Sequence, residues 1–210
     1  MLDTDERPLD QSGTREKILA AAEQLIATRG LDGFQLKDVA EAVGIRPPSV
    51  YAHFDGREAI AHAVALRFYR ALDATLRIDT LLEVDPIDAL RTIVGRATRL
   101  FASHPGYLRL VLRDAERSAF PESSELSQAW LRIAAQWNVA IERGVALGVF
   151  RSVRQNAAQS QIVGAILHNL CWEGFSVEGT PISGAPLDQV IRESQEMAVR
   201  LLVRSLDDAE

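Results

Sequence analysis

The stretch of residues 35–54 constrains the fold of this chain more than any other part of its sequence. Its first half spaces four apolar residues at i, i+3, i+4 and i+7, which predicts a helix of about two turns with one apolar face. These residues are Leu36, Val39, Ala40 and Val43. Gly44 follows them, and a glycine there can adopt the left-handed conformation that ends a helix. The helix is therefore expected to end in a tight turn.

A second short helix is predicted directly after this turn. Pro47 and Pro48 suit the first turn of a helix, where backbone N–H groups have no intrahelical acceptor to lose. Val50 and Phe54 lie four residues apart and give the helix an inner face. Two short helices joined by a tight glycine turn form a helix-turn-helix, whose second helix normally enters the major groove of DNA.

Residues within and beside this unit follow a recognisable pattern. They are Thr14-Arg15, Ile18-Leu19-Ala20-Ala21-Ala22, Leu25, Gly30, Phe34, Asp38-Val39-Ala40, Gly44-Ile45, Ser49-Val50-Tyr51-Ala52-His53-Phe54 and Arg57-Glu58. With this pattern, and above all with its Tyr-x-His-Phe ending, the sequence resembles the N-terminal DNA-binding domain of TetR-type transcriptional regulators. The resemblance covers about the first quarter of the chain. The remainder resembles the family in being helical and of suitable length.

The rest of the chain contains helical patterns, and no alternating run predicts a strand. The expected fold is all-α. Residues 1–12 are polar and are expected to form a flexible tail, with Ser12 or Gly13 capping the first helix. A three-helix domain with the helix-turn-helix is expected at residues 13–56. A long helix from Arg57 to Leu76 would join it to the remainder, residues 57–210, to which the resemblance assigns effector binding and dimerisation.

The composition is that of a soluble globular protein in a reducing compartment. Of the 210 residues, 47% are hydrophobic and 25% are charged. The single cysteine, Cys171, excludes an internal disulfide, and without a Cys or Cys/His cluster a metal site is not expected. The sequence has neither a basic and apolar leader nor a run of roughly 18 apolar residues. We therefore expect a cytoplasmic protein that has no cofactor and no contact with membranes.

A net charge of −6 and a pI near 5.3 argue at first against a nucleic-acid partner. Affinity for DNA, however, depends on the cations that lie against phosphates. Lys37, Arg46, His53 and Arg57 all lie in or beside the helix-turn-helix. We expect DNA binding that is short-ranged and sensitive to salt.

The chemistry of single residues suggests how DNA would be contacted. Ser49, at the start of the second helix, can bond to a base edge or to a phosphate, and Arg46 could bond to guanine or to a phosphate. Lys37 and Arg57 lie at two further helix N-termini, where backbone N–H groups favour phosphate. Pro48 offers apolar contact with thymine methyl groups.

Tyr51 and His53 have two interpretations. The resemblance to the TetR family implies that both side chains contact phosphates. Their residue types fit equally well a small helical core in which both rings pack against Phe54. The sequence leaves this choice open.

The aromatic residues of the C-terminal part fit either a packed core or the wall of a cavity, and at helical spacing a core is the more frequent outcome. The resemblance implies a pocket, because family members bind a small molecule among their central helices and thereby change the spacing of their paired reading heads. The candidate pocket residues are Phe101, His104, Tyr107, Trp130, Trp137, His168 and Trp172. They would suit a small hydrophobic effector.

The last two predicted helices, at about residues 156–176 and 187–206, carry broad apolar faces. Taken alone, such faces more often close the core of one subunit. The resemblance implies instead that they form the four-helix interface of a homodimer. The candidate interface residues are Ile162, Ala165, Ile166, Asn169, Val190, Ile191, Ser194, Met197, Ala198 and Leu201.

The resemblance implies a DNA-binding transcriptional regulator, by default a repressor that a ligand releases from a palindromic operator. The alternative is an activator, or a DNA-binding adaptor that has no effector. An enzyme is not expected, because the four histidines are scattered and no His-Glu-x-x-His, Gly-x-Ser-x-Gly or phosphate-binding glycine loop occurs.

Overall fold

The structure, a computed structural model, describes residues 11–30, 32–107, 125–154, 156–172 and 186–203, without the side chains of residues 11, 12, 171 and 172. In these ranges the chain is helical. The helices are α1 (Gln11–Arg29), α2 (Leu36–Val43), α3 (Pro47–Tyr51), α4 (Arg57–Leu76), a 3-10 helix (Ile78–Leu81), α5 (Pro86–Ser103), α6 (Glu125–Ala146), α7 (Ala157–Trp172) and α8 (Leu187–Leu202). One antiparallel β-bridge joins Phe150 to Val203. The all-α prediction is confirmed.

The buried apolar side chains form two clusters that meet within α4. The smaller one, the head core, lies among α1, α2, α3 and the first half of α4. It comprises Ile18, Leu19, Ala22, Ile26, Phe34, Val39, Ala40, Val50, Phe54, Ile60, Ala61 and Val64. The larger one, the body core, begins at Ala65 and Phe68 of the same helix and extends through α5, α6, α7 and α8. The domain boundary predicted after residue 56 gives α4 to the body, whereas its first half packs in the head core.

Local signals in the sequence set several helix ends. Gly30 follows α1 with φ of 73°, and its N–H donates to the carbonyl oxygen of Ile26 at 2.9 Å. Asp85 caps α5, since its carboxylate accepts a hydrogen bond from the N–H of Ile87 at 2.9 Å, and Pro86 fills the first turn. The bounds of α4 are those that the sequence predicts.

The start of α1 differs from the prediction. The helix already includes Gln11 and Ser12, so neither Ser12 nor Gly13 caps it, and the predicted tail does not extend to these two residues. A glycine inside a helix costs only about 1 kcal/mol, so the helix extends through Gly13 to Gln11. Residues 1–10, which make up most of the predicted tail, and residues 108–124 lie outside the described residues.

In the body, α5 is central and contacts α4, α6, α7 and α8. Two glycines allow close packing there. A Cβ at Gly95 would lie 2.8 Å from Nε2 of Gln195 on α8, and a Cβ at Gly144 would collide with the ring of Phe150. Phe150 therefore fills the space beside α6, and its bridge to Val203 fixes the segment after α6 against the end of α8. None of the described helices combines the length and the apolar character that crossing a membrane requires.

Candidate DNA-binding surface and its junction with the body

The predicted helix-turn-helix is formed by α2, α3 and the turn between them. Gly44 has φ of 76°, and its N–H donates to the carbonyl oxygen of Glu41 at 3.1 Å. The N–H of Ile45 donates to the carbonyl oxygen of Ala40 at 2.9 Å. These two bonds end α2 in the way expected for a left-handed glycine. Arg46 is then extended, with φ of −78° and ψ of 143°, and α3 starts at the next residue.

One side of α3 packs in the head core and the other is open to solvent. Val50 is fully buried, and Phe54 is 6% exposed. Pro48 and Ala52 are exposed, and Tyr51 is 58% exposed. This exposure disfavours the interpretation in which the ring of Tyr51 packs against Phe54. The open side is the surface that a DNA groove would contact.

The other polar residues predicted to contact DNA lie near this surface. They differ in how exposed they are and in whether they already have a partner. Ser49 and His53 are half-buried, and Lys37 and Arg46 are exposed. Neither cation has a carboxylate or carbonyl partner among the described residues. Arg57 does have such a partner, Asp32, and Lys37 is followed in the sequence by the carboxylate of Asp38. The contacts predicted for Arg57 and Lys37 therefore change.

The Arg57 guanidinium is engaged within the head. Its Nη2 lies 3.4 Å from Oδ1 of Asp32, and its Nη1 donates to the carbonyl oxygen of Asp32 at 3.4 Å. Since this ion pair offsets part of its charge, Arg57 is a weaker phosphate ligand than its position at the start of α4 suggests. The sequence gives no sign of this pair, because Asp32 lies in the loop after α1 and Arg57, 25 residues later, lies at the start of α4.

The N-terminus of α2 is occupied by a carboxylate. Oδ2 of Asp38 accepts a hydrogen bond from the N–H of Gln35 at 2.6 Å, and its Oδ1 lies 3.4 Å from Nη1 of Arg29. Asp38 thereby supports the helix start that Gln35 alone would leave weak. A phosphate at Lys37 would meet this negative charge, so the lysine side chain and not the helix N-terminus would provide the contact.

Arg15 of α1 is a further cation beside this surface. Its guanidinium carbon lies 4.9 Å from the centroid of the Phe54 ring, in a cation–π contact, and the residue is exposed. This contact places a positive charge of α1 next to the end of α3. Only the tertiary packing of α1 reveals it.

A buried carboxylate joins the head to the body. Glu23 of α1 is 8% exposed, and its Oε1 accepts a hydrogen bond from Nδ1 of His104 at 2.6 Å. Its Oε2 accepts a hydrogen bond from Nη2 of Arg67 on α4. A Cβ at Gly106 would collide with the backbone carbonyl oxygen of Glu23, so the chain after α5 lies directly against α1. We call Glu23, Arg67 and His104 the junction triad.

The triad also sets the charge state of its carboxylate. Burial by itself raises the pKa of Glu23, but the hydrogen bond from His104 and the adjacent charges of His104 and Arg67 lower it more. The pKa of Glu23 therefore lies below its ordinary value. The carboxylate is ionised at neutral pH and holds both partners.

The seven candidate pocket residues are not all brought together. Phe101 and Tyr107 form an aromatic cluster with Phe68, whose ring centroid lies 5.2 Å from that of Phe101 and 3.5 Å from that of Tyr107. His104 contacts Phe68 edge-on at 5.5 Å, which places it between this cluster and Glu23. Trp137 is buried in the same body core.

Two of the remaining candidates lie at the surface. Trp130 is 42% exposed and His168 is exposed, so neither side chain lines the aromatic cluster. Both residues follow the helical spacing of their neighbours, but that spacing does not reveal which face of α6 or α7 turns inward. The side chain of Trp172 lies outside the described residues.

The candidate dimer residues divide in the same way. Six of them are buried within the single chain and leave no surface for a partner: Ile162, Ile166, Val190, Ile191, Ser194 and Ala198. Four are half-buried and keep part of their surface accessible: Ala165, Asn169, Met197 and Leu201. On α7 the apolar residues lie on several faces between polar ones such as Gln159, Gln161 and Asn169, so the sequence does not separate the two sets there.

Among the residues that the structure describes, no three His, Cys, Asp or Glu side chains are grouped closely enough to hold a metal ion. The prominent charged groups of the described head are instead its unpaired cations and its ion pairs.

Comparisons with known proteins agree with this architecture. The family model described as bacterial regulatory proteins, tetR family, matches residues 18–64. The chain is 30% identical over 146 residues to the HTH-type transcriptional repressor KstR2 of Rhodococcus jostii, covering 68% of this chain and 70% of that protein. It is 27% identical over 122 residues to the HTH-type transcriptional regulator EthR of Mycobacterium tuberculosis, covering 57% of this chain and 54% of EthR. The chain thus aligns with about half the length of EthR.

Solved structures extend the similarity of fold to the body. The TetR family transcriptional regulator PfmR from Thermus thermophilus has a TM-score of 0.71 at 23% identity, covering 87% of this chain and 97% of that chain. The ketosteroid transcriptional regulator KstR2 of Mycobacterium tuberculosis has a TM-score of 0.70 at 20% identity, covering 91% of this chain and 95% of that chain. At these identities the likeness concerns the fold.

Proposed function

The chain belongs to the TetR family of DNA-binding transcriptional regulators, and we propose that it is a cytoplasmic repressor that a small apolar molecule releases from a palindromic operator. The observation that carries the DNA-binding part is the open side of α3. Tyr51 is exposed there, and the unpaired Lys37 and Arg46 lie beside it. A short helix with one buried side and free cations at its edge fits a DNA groove.

In the proposed complex, α3 enters the major groove. Arg46 and Ser49, at its N-terminal end, are placed for base edges or phosphates, while Lys37, Tyr51 and His53 contact phosphates. Arg57 contributes less because Asp32 already neutralises part of its charge. Pro48 leaves an apolar surface that suits a thymine methyl group.

A homodimer would present two such heads to one operator. The support for an interface on α7 is that a side chain at its exposed Gly164 would meet open space, and that Ala165 and Asn169 are only half-buried. Small residues on an exposed helical face let a symmetry-related helix approach closely. Together with Met197 and Leu201 of α8, they form the surface that we assign to the partner copy.

The effector is proposed to act at the aromatic cluster of Phe68, Phe101 and Tyr107. Aromatic side chains suit an apolar ligand, and KstR2 of Mycobacterium tuberculosis is described as a ketosteroid transcriptional regulator. His104 contacts both the cluster and Glu23 of the head. A ligand that displaces the cluster would therefore move a residue that touches α1.

The test is fluorescence anisotropy of the purified protein on DNA that flanks its own gene, at two salt concentrations and with excess unrelated duplex. Tight binding that weakens with salt and survives the competitor is the expected result. Apolar compounds are then screened for release of the bound DNA. If any unrelated duplex displaced the protein from this DNA as well as the same sequence does, specific binding would be contradicted. Specific binding that no compound releases would favour the adaptor or activator.

A further inference from the structure

A cation occupies the N-terminal end of the apolar stripe of α1. Arg15 precedes Ile18 and Leu19 at the i, i+3 and i+4 spacing, so it lies on the face of the helix that packs in the head core. The residue is nonetheless exposed, and its guanidinium carbon lies 4.9 Å from the centroid of the Phe54 ring. We infer that Arg15 is a further phosphate contact of the DNA-binding head and that the ring of Phe54 positions it. This inference rests on the proposed function and extends the DNA-binding surface to α1.

The Phe54 ring places this guanidinium at the end of the reading helix. The N–H groups of His53 and Phe54 both donate to the carbonyl oxygen of Val50 at 3.0 Å, so the chain continues the turn of α3 as far as Phe54. Phe54 itself is buried in the head core. The guanidinium therefore lies over the residue that directly follows His53, which is proposed to contact a phosphate.

The charge of Arg15 is available to an anion from outside the chain. Among the described residues no carboxylate forms an ion pair with it. Oε2 of Glu16, the next residue of α1, lies 3.5 Å from Nη1 of Arg67 instead. Asp55, which follows Phe54, is exposed, and within the described part of the chain no ion pair joins it to Arg15. A cation in this state can exchange for the counterions of a phosphate.

Contact with an aromatic ring differs from contact with a carboxylate in what it leaves free. The face of the ring attracts a guanidinium and restricts a long side chain that otherwise has many rotamers. The ring does not neutralise the positive charge, so the N–H donors remain available for the two oxygens of a phosphate. Phe54 therefore limits the conformations of Arg15 and leaves its charge unpaired.

The test is anisotropy of the full chain on an unrelated duplex at several salt concentrations. Because a phosphate contact carries no sequence information, the operator need not be known. Arg15→Gln should weaken binding by about three- to tenfold at low salt, and should reduce the slope of log K against log salt concentration by about one for each head bound. Arg15→Lys keeps the charge and should keep the slope.

Lys17→Gln is the matched control. Lys17 is also an exposed residue of α1 without an ion pair among the described residues. Two positions along a helix turn it to the opposite side from Arg15. Removal of the same charge there should leave the slope unchanged. Circular dichroism verifies that each variant is folded.

A double-mutant cycle tests the part of the ring. Phe54→Leu keeps an apolar side chain in the head core and removes the aromatic face. In this background the loss of affinity caused by Arg15→Gln should be smaller by about two- to fivefold. Thermal unfolding verifies that both Leu variants are folded at the temperature of the titration.

The possible failures are distinguishable. If the natural chain binds DNA and folded Arg15→Gln keeps its slope, Arg15 is not a phosphate contact, although the proposed function stands. An equal loss of slope in Lys17→Gln would mean that net charge and not position determines the effect. Equal effects of Arg15→Gln in the Phe and Leu backgrounds would remove the positioning role of Phe54. If the natural chain binds no duplex at low salt, the proposed function itself fails, and this inference fails with it.

Discussion

The head and the body of this protein differ in how they use their cations. In the body, Arg132 pairs with Asp73, and Arg143 donates to the carbonyl oxygen of Val84. Most described arginines of the body have such a partner. Arg99, Arg154 and Arg192 have none among the described residues, and they lie on separate elements. In the described part of the head, the unpaired cations are Arg15, Lys17, Lys37 and Arg46, of which Arg15 contacts Phe54 and Lys37 and Arg46 lie in the helix-turn-helix.

This difference explains how a chain with a net charge of −6 can bind DNA. A cation that is already paired has little charge left to exchange for the counterions of a phosphate. What matters is therefore where unpaired positive charge lies, and not the sum over the chain. Five described carboxylates of the body pair with an arginine and so offset its charge locally: Asp73, Asp79, Asp88, Glu125 and Glu196.

The largest expected effect tests whether head and body are separate cooperative units. Phe34 is fully buried in the head core, and Phe34→Ala should cost about 3–5 kcal/mol, enough to unfold so small a core. Trp137→Ala is the matched change in the body core. Hydrogen exchange followed by mass spectrometry should show loss of protection confined to the head for Phe34→Ala. Equal loss throughout the chain in both variants would mean that the two cores unfold as one.

The second effect concerns the unpaired cations. Lys37→Ala combined with Arg46→Ala should weaken DNA binding by about 10- to 100-fold at low salt and reduce the salt slope by about two. The control, Arg91→Ala with Arg132→Ala, removes the same charge from sites that are paired with Asp88 and Asp73. Anisotropy titrations at several salt concentrations distinguish them. If both double variants lose affinity alike, net charge governs binding and the contrast between the regions disappears.

The third effect tests the contact between the regions. Glu23→Gln should lower the free energy of unfolding by about 1–3 kcal/mol at neutral pH, because a charged acceptor of two hydrogen bonds is lost. Since the pKa of Glu23 is lowered in the folded chain, its contribution is fully present above the ordinary glutamate pKa and is lost as the pH falls through the folded value.

Urea unfolding of the natural chain and the Gln variant across the acidic range measures this contribution. The two curves should converge toward low pH. A stability difference that stays constant with pH would show that Glu23 contributes through packing and not through its charge.

The smallest effect concerns a single hydroxyl group. Tyr51→Phe keeps the exposed ring and should weaken binding by about two- to tenfold on operator and unrelated duplex alike. The ratio of the two affinities should stay constant, because a phosphate contact positions the protein and does not read sequence. A changed ratio in competition titrations would reassign Tyr51 to base recognition.

The parts of the fold that the sequence predicted depend on local chemistry. Gly44 and Pro47 define the turn and the start of α3, and Asp85 with Pro86 defines the start of α5. Each acts within a few residues of its own position, so the pattern is complete in the sequence. The family pattern ending in His53 and Phe54 is also contained in one short stretch.

The parts that could not be predicted depend on contacts between distant residues. Glu23 and His104 are 81 positions apart, and nothing in either neighbourhood indicates their hydrogen bond. The pair of Arg57 with Asp32 and the position of Arg15 over Phe54 arise in the same way. On α7 the apolar residues lie on several faces between polar ones, so no single periodic stripe separates the inner face from the outer face.

The division of α4 between two cores has a consequence for how such regulators can be recombined. Ile60, Ala61 and Val64 complete the head core, while Ala65 and Phe68 begin the body core. A chimera that joins this head to another body at the loop around Gly56 would exchange three side chains that the head needs. Crossover sites that keep α4 intact as far as Val64 preserve that core. The segment that must be exchanged as a whole between relatives is therefore longer than the helix-turn-helix itself.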